Sequence, residues 1–253
     1  MKRFFLCVLL AIPGILSCQE FISNAISADD HKRKRPLMEA LEAGFTGIAA
    51  DISLSKDGIL KCGGKPFEDL YLKPLKSRAE QHSGHIYPAR DDEFFLVLTV
   101  ESDSIASFAA LEKVIGIYSE LFSRFENGIR SKKAIRLVLS GNVPVNAIVN
   151  STVRWCFPDE NIKLMRTQWD GRFIAMATMN YKKSFDWNGE QNMPNRAYIS
   201  FISYVKNAHK AGRLVRLQNA PENTNALGIF LEAGVDFIEV EDIPAFVRYW
   251  KNR

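Results

Sequence analysis

The chain has 253 residues, 47% of them apolar and 25% charged, with no acidic or basic tail and no low-complexity tract. Its net charge of +4 includes Lys2 and Arg3 at the N-terminus and is too small to argue for nucleic acid as a partner. Without a leader, roughly 235 residues remain, enough for one large core or one α/β barrel.

Met1-Lys2-Arg3, the almost wholly apolar run from Phe4 to Leu16, and Ser17-Cys18 read as an export signal over residues 1–18. The run is too short to span a bilayer as a resident helix. Ile15-Leu16-Ser17-Cys18 resembles a bacterial lipobox, in which Cys18 becomes the lipidated first residue and anchors the protein to a membrane. A lipoprotein of the outer or inner membrane is expected, with a periplasmic or secreted protein as the alternative. Residues 19–253 then form one domain, expected to be monomeric. Cys62 and Cys156 read as buried free thiols, and no cysteine spacing suggests a metal site.

In chain order, Phe21–Ile26 reads as the first strand and Asp29–Arg35 as a solvated charged loop. Pro36 opens a helix that Gly44 stops. Ile48–Leu54 is the second strand, continued as a hairpin through Lys56-Asp57-Gly58 to Cys62. Phe67–Arg78 forms a short helix or turns. Phe94–Val100 is the third strand, an unbroken apolar run of the kind covered on both faces.

Ser104–Phe125 is the longest helix predicted, followed by strand four over Ala134–Leu139 and a short helix over Pro144–Asn150. Val153–Phe157 is the candidate for strand five and Phe173–Thr178 for strand six. Asn195–Lys210 is helical, Leu214–Leu217 is strand seven, Asn223–Ala233 is helical, and Asp236–Val240 is strand eight. A last helix runs from Ile243 to Trp250. Eight strands with helices between them predict an α/β fold of the (β/α)₈ barrel type, with a doubly wound open sheet as the competitor.

Reactive residues of such a barrel stand at the C-terminal ends of its strands. Those ends carry Asp30 and His31 after strand one and Asp51 on strand two, with Lys65 beyond the hairpin. Glu101 follows strand three, Arg154 lies on strand five, Trp187 follows strand six, Arg216 lies on strand seven and Glu239 on strand eight. Lys65, Arg154 and Arg216 could meet a phosphate or carboxylate, whereas Asp51, Glu101 and Glu239 could share a divalent cation.

The order Asp30…Arg35-Pro36-Leu37…Ala40-Leu41…Gly44-Phe45-Thr46…Ala50-Asp51…Asp57-Gly58 resembles the glycerophosphodiester phosphodiesterase-like, or phospholipase C-like, barrels. Within them it is similar to exported bacterial members related to a fungal mitochondrial-inheritance protein. The resemblance continues through Leu139-Ser140-Gly141-Asn142, Phe185-Asp186-Trp187-Asn188-Gly189 and Ala233-Gly234-Val235-Asp236. It implies a metal-dependent phosphoric diester hydrolase of lipid metabolism, with two imidazoles as acid and base and Mg²⁺ or Ca²⁺ held by carboxylates.

Placed on this chain, the family's two first histidines fall on Ile26 and Ala28, and its later histidine falls on Gly64. The strand-two carboxylate pair falls on Ala49 and Asp51. The expectation is a degenerate member that binds a small phosphorylated or anionic ligand through Lys65, Arg154, Trp187 and Arg216 without hydrolysis and without a cofactor. The alternative is an active hydrolase with relocated residues: Asp30 and His31 for catalysis, Asp51, Glu101 and Glu239 for the metal, and His82 or His85 folded over the mouth. A second alternative is a structural or protein-binding barrel whose mouth is plugged by Phe185 and Trp187.

Overall fold

Alternation along the strands determines the architecture. On Phe94–Val100, Phe95 and Val97 face one way and Leu96 and Leu98 the other, and all four are buried. Such a strand needs an apolar layer on each side. In the computed structural model, which describes residues 20–253, both layers are present. Phe95 and Val97 join Ile26, Val138, Phe157 and Phe237 inside a barrel. Leu96 and Leu98 join the larger core between strands and helices, with Phe108, Phe201, Phe230 and Phe246. Cys18 and the expected leader lie outside the described residues.

The barrel strands are β1 (Ile22–Ser27), β2 (Phe45–Leu54), β3 (Phe94–Val100), β4 (Ile135–Gly141), β5 (Cys156–Asn161), β6 (Met176–Asn180), β7 (Leu214–Gln218) and β8 (Phe237–Val240). They pair in parallel in chain order, and β1 pairs with both β2 and β8. That double pairing closes the barrel and excludes the open sheet. Around it lie α1 (Met38–Glu42), α2 (Lys73–Gln81), α3 (Ser104–Ile117), α4 (Val145–Asn150), α5 (Asn195–Lys210), α6 (Thr224–Glu232) and α7 (Ile243–Lys251). Asp103, Asn223 and Asp242 cap α3, α6 and α7 by accepting a backbone N–H three residues on.

Strands two, four and six shift by one to three residues at their ends, and two larger differences follow, one of which moves a candidate site residue. The long helix stops at Ile117, and Arg124–Glu126 instead pairs with Ile129–Ser131 and with Val153–Arg154 in a separate antiparallel sheet. Barrel strand five therefore begins at Cys156, not Val153. Its apolar signal is short because Pro158, Asp159 and Glu160 occupy its middle and end. Val153–Arg154 precedes β5, so Arg154 lies at the end of the barrel opposite the strands' C-termini.

Candidate site at the barrel mouth

The loop after β1 is built around Asp30, a fully buried carboxylate. It accepts hydrogen bonds from Ser27 Oγ at 2.8 Å, Leu37 N at 2.6 Å and Tyr71 OH at 3.0 Å. Burial raises its pKa, and these donors, together with the Arg33 guanidinium 3.9 Å away, only partly offset that. Arg33 in turn donates to Ser27 Oγ at 2.6 Å and Val240 O at 2.8 Å, tying the loop to β8. Asp30 therefore organises the backbone, and the catalytic role expected for it is corrected to a structural one. The charged loop is likewise only partly solvated, since Arg33 is folded into it.

One residue further on, the side chain of His31 is also largely buried but turns toward β2. His31 Nε2 lies 3.8 Å from Asp51 Oδ2, and His31 Nδ1 accepts the Asp51 backbone N–H at 3.3 Å. A ring nitrogen that accepts cannot also carry a hydrogen, so this contact assigns the hydrogen of a neutral ring to Nε2. Asp29 completes the group, with ligand atoms of Asp29, His31 and Asp51 all within 4.8 Å of one another. These three side chains could hold a divalent cation. An imidazole beside two carboxylates suits Mn²⁺ or Zn²⁺ better than Mg²⁺ or Ca²⁺, which favour larger sets of oxygens. Lys32 donates to Asp29 at 2.8 Å; that hydrogen bond raises its pKa, and the negative field of Asp51 and Glu101 adds to the rise.

The centre of the mouth is filled by a second network. Arg216, fully buried, donates to Asp159 Oδ2 at 2.6 Å, to Thr178 Oγ1 at 2.8 Å and to Glu239 by a very short contact. Burial alone would lower its pKa, but the charges of Glu239 and Asp159 outweigh this and raise it. Ser140 and Thr178 also donate to Asp159. Two expectations are corrected here: Arg216 is neutralised and does not face a ligand, and Glu239 is its counter-ion and stands apart from the Asp51 group. Asp159 was not singled out in the sequence. Its signal, Asp159-Glu160 closing a strand, becomes visible only with β5 in its true register.

The remaining candidates disperse. Lys65 is exposed on the two-residue strand Lys65–Pro66, just beyond a turn that packs on His31, where a Cβ on Gly63 would lie 3.2 Å from His31 Cδ2. Glu101 is exposed after β3 and outside the three-residue group. Arg154 is corrected outright: it is buried between Phe125 and Phe173, 4.2 and 4.5 Å from their ring centres, at the far end of the barrel. Trp187 and Phe185 do not plug the mouth; they pack edge-on against Phe230 and Phe201 beside α5 and α6.

The family's histidine positions hold no replacement. Ile26 is fully buried inside the barrel, and Gly64 is exposed with a φ of +81°. His82 and His85 lie between α2 and β3, and His209 on α5 bonds Asp236 just before β8 at 2.7 Å. These helix-to-strand positions belong to the end of the barrel away from the mouth, so neither His82 nor His85 folds over it. His31 is the one histidine at the mouth among the described residues.

No family model matches the chain. Altered inheritance of mitochondria protein 6 of Eremothecium gossypii is 20% identical to it over 275 residues, spanning 90% of this chain and 69% of that protein. Among solved structures, a glycerophosphodiester phosphodiesterase from Parabacteroides distasonis aligns with a TM-score of 0.53 at 15% identity, covering 90% of this chain and 96% of that one. Another, from Agrobacterium tumefaciens, aligns with a TM-score of 0.49 at 12% identity, covering 91% of this chain and 100% of that one. The fold is a (β/α)₈ barrel like that of the Parabacteroides distasonis structure. The chain is a distant relative of the fungal protein and is similar to the glycerophosphodiester phosphodiesterase-like proteins at that level.

Proposed function

We propose that this chain is a non-hydrolysing relative of those phosphodiesterases, which takes a small phosphorylated ligand at its mouth through a divalent cation. The cation would sit at Asp29, His31 and Asp51, where it would neutralise charge on the phosphate, with Lys65 at the rim as a further cation. The observation that carries the reading is the single imidazole. Phosphodiester cleavage by acid and base needs two proton-transfer groups, and here His31 already has Nδ1 engaged by the Asp51 backbone. Ile26 and Gly64 supply nothing in the partner position.

The competing reading, a hydrolase with its acid–base work moved to His31, draws on the same contact with Asp51. Calorimetric titration of the purified chain with Mn²⁺, Zn²⁺, Mg²⁺ and Ca²⁺, with and without glycerol phosphate, tests the binding. Binding of Mn²⁺ or Zn²⁺ that strengthens glycerol phosphate binding and is lost in Asp51→Asn supports the proposal. Glycerol phosphate binding that ignores both the metal and the variant contradicts it. Export and lipid attachment through Cys18 belong to the same proposal; incorporation of labelled fatty acid that vanishes in Cys18→Ser is the expected result.

A further inference from the structure

Residues 124–136 carry five cationic side chains and a single acidic one, Glu126. They form the hairpin of the small antiparallel sheet and the entry to β4, at the end of the barrel away from the mouth. Asn127 and Gly128, both at positive φ, make the two-residue turn, and Ile129 stands beside it at the tip, 72% exposed. The charges of this face are not all spent within the protein. Glu126 pairs with Arg124, Glu93 with Arg130 and Asp91 with Lys132. Lys133, Arg136 and Arg154 have no ion-pair partner among the described residues. Burial lowers the pKa of Arg136 to about 10, and the charge of Arg130 adds to that fall by more than Glu93 opposes it. The field at this end is therefore positive.

The chain also enters the barrel here. Glu20 leads into β1, and Arg90 stacks on Phe21 with its guanidinium 4.0 Å from the ring centre. Arg90 belongs to the same loop that supplies Asp91 and Glu93 to the hairpin, so the two regions are continuous. Cys18 lies two residues before Glu20, a reach of about 7 Å even when fully extended. A lipid on Cys18 brings this end of the barrel against the membrane and turns the mouth away from it.

We infer that the hairpin is a second membrane contact, seated on a surface of anionic phospholipid. Ile129 enters the boundary between headgroups and acyl chains, while Lys133 and the cations around it face the headgroups. A single exposed isoleucine calls for no explanation, but one at the tip of a cationic hairpin pairs the two attractions that membrane-surface segments use. Neither is strong alone. A basic patch beside a lipid chain turns reversible attachment into stable anchoring, and each cation near such a surface adds a modest increment. The inference rests on the export reading for the presence of a membrane, but the surface can be read without the lipid.

Co-sedimentation with vesicles tests it, using the chain from Gln19 onward, which holds every strand and helix of the closed barrel and carries no lipid. The vesicles are of phosphatidylcholine alone, or of equal parts phosphatidylcholine and phosphatidylglycerol. The chain is expected to sediment with the anionic vesicles only, and less so as salt rises. Ile129→Asp and Lys133→Glu, both at exposed positions, should each weaken that binding about fivefold or more without moving the unfolding midpoint. No binding to anionic vesicles, equal binding to both kinds, or variants that bind like the parent overturns the assignment. So does displacement by inorganic phosphate at constant ionic strength, which would show a phosphate pocket in place of a surface. Fatty-acid incorporation at Cys18 is measured separately, so the export reading and the membrane contact can each fail without the other.

Discussion

Arg216 Nη2 lies 2.6 Å from Asp159 Oδ2 at the centre of the barrel mouth, and the two side chains are 0% and 2% exposed. With Glu239 on its other arm, this guanidinium is buried between two carboxylates. The Asp29, His31 and Asp51 group stands apart from this network.

Removing the central cation should be severe. Arg216→Met leaves two buried carboxylates uncompensated, at a cost of about 3–5 kcal/mol. For a domain of this size that corresponds to a melting temperature lower by roughly 6–20 °C. Thermal unfolding followed by circular dichroism reads this directly, and an unchanged midpoint would deny the network its structural role.

Asp30 should behave as a buried structural acid. Asp30→Ala strands three donors and is expected to cost several kcal/mol, about 1 kcal/mol or more for each bond. Asp30→Asn is milder and carries a pH signature. Because burial raises the folded-state pKa of Asp30, the folded chain binds more protons than the unfolded one between the unfolded value and that raised value. Its contribution is fully present below the unfolded pKa and is lost as pH rises through the folded pKa. The stability gap between parent and Asp30→Asn should therefore be widest in acid and narrow toward neutral pH in chemical denaturation. A gap that widens with pH contradicts the assignment.

His31 should favour transition metals. Since Nδ1 accepts from the Asp51 backbone, ligation through Nε2 requires the ring to change tautomer and give up that bond. Mn²⁺ or Zn²⁺ affinity is thus expected to be modest, and His31→Gln to weaken it at least tenfold with little effect on Mg²⁺. Calorimetry checks both halves, and a variant that binds Zn²⁺ like the parent removes His31 from the site.

Arg154 should matter to folding and not to ligands. Its guanidinium is desolvated between two rings, a contact worth about 2 kcal/mol. Arg154→Gln is expected to lower the unfolding free energy by about that much and leave glycerol phosphate binding intact. Lost binding in a variant that melts normally would place Arg154 at a ligand.

Much of the fold was legible because its signals are local. The two-sided apolar run of β3 and the amphipathic helix Asn195–Lys210 lie where the sequence places them. The site was less legible because its decisive relations are not local. Nothing in the sequence shows that Arg216 and Glu239 spend their charges on each other, or that Asp30 points into the core while its neighbour His31 faces Asp51. Arg154 was misplaced for a simpler reason: Pro158, Asp159 and Glu160 hide the end of β5, and the register moved with it.

The most direct test of the account is turnover of a glycerophosphodiester by the purified chain, followed by ³¹P NMR in Mn²⁺, Zn²⁺, Mg²⁺ and Ca²⁺ in turn. With one imidazole at the mouth and that one bound to the backbone, the account predicts no release of glycerol phosphate above the uncatalysed rate. Release that requires a metal and disappears in both Asp51→Asn and His31→Gln would contradict it, and would show a hydrolase working from a relocated site.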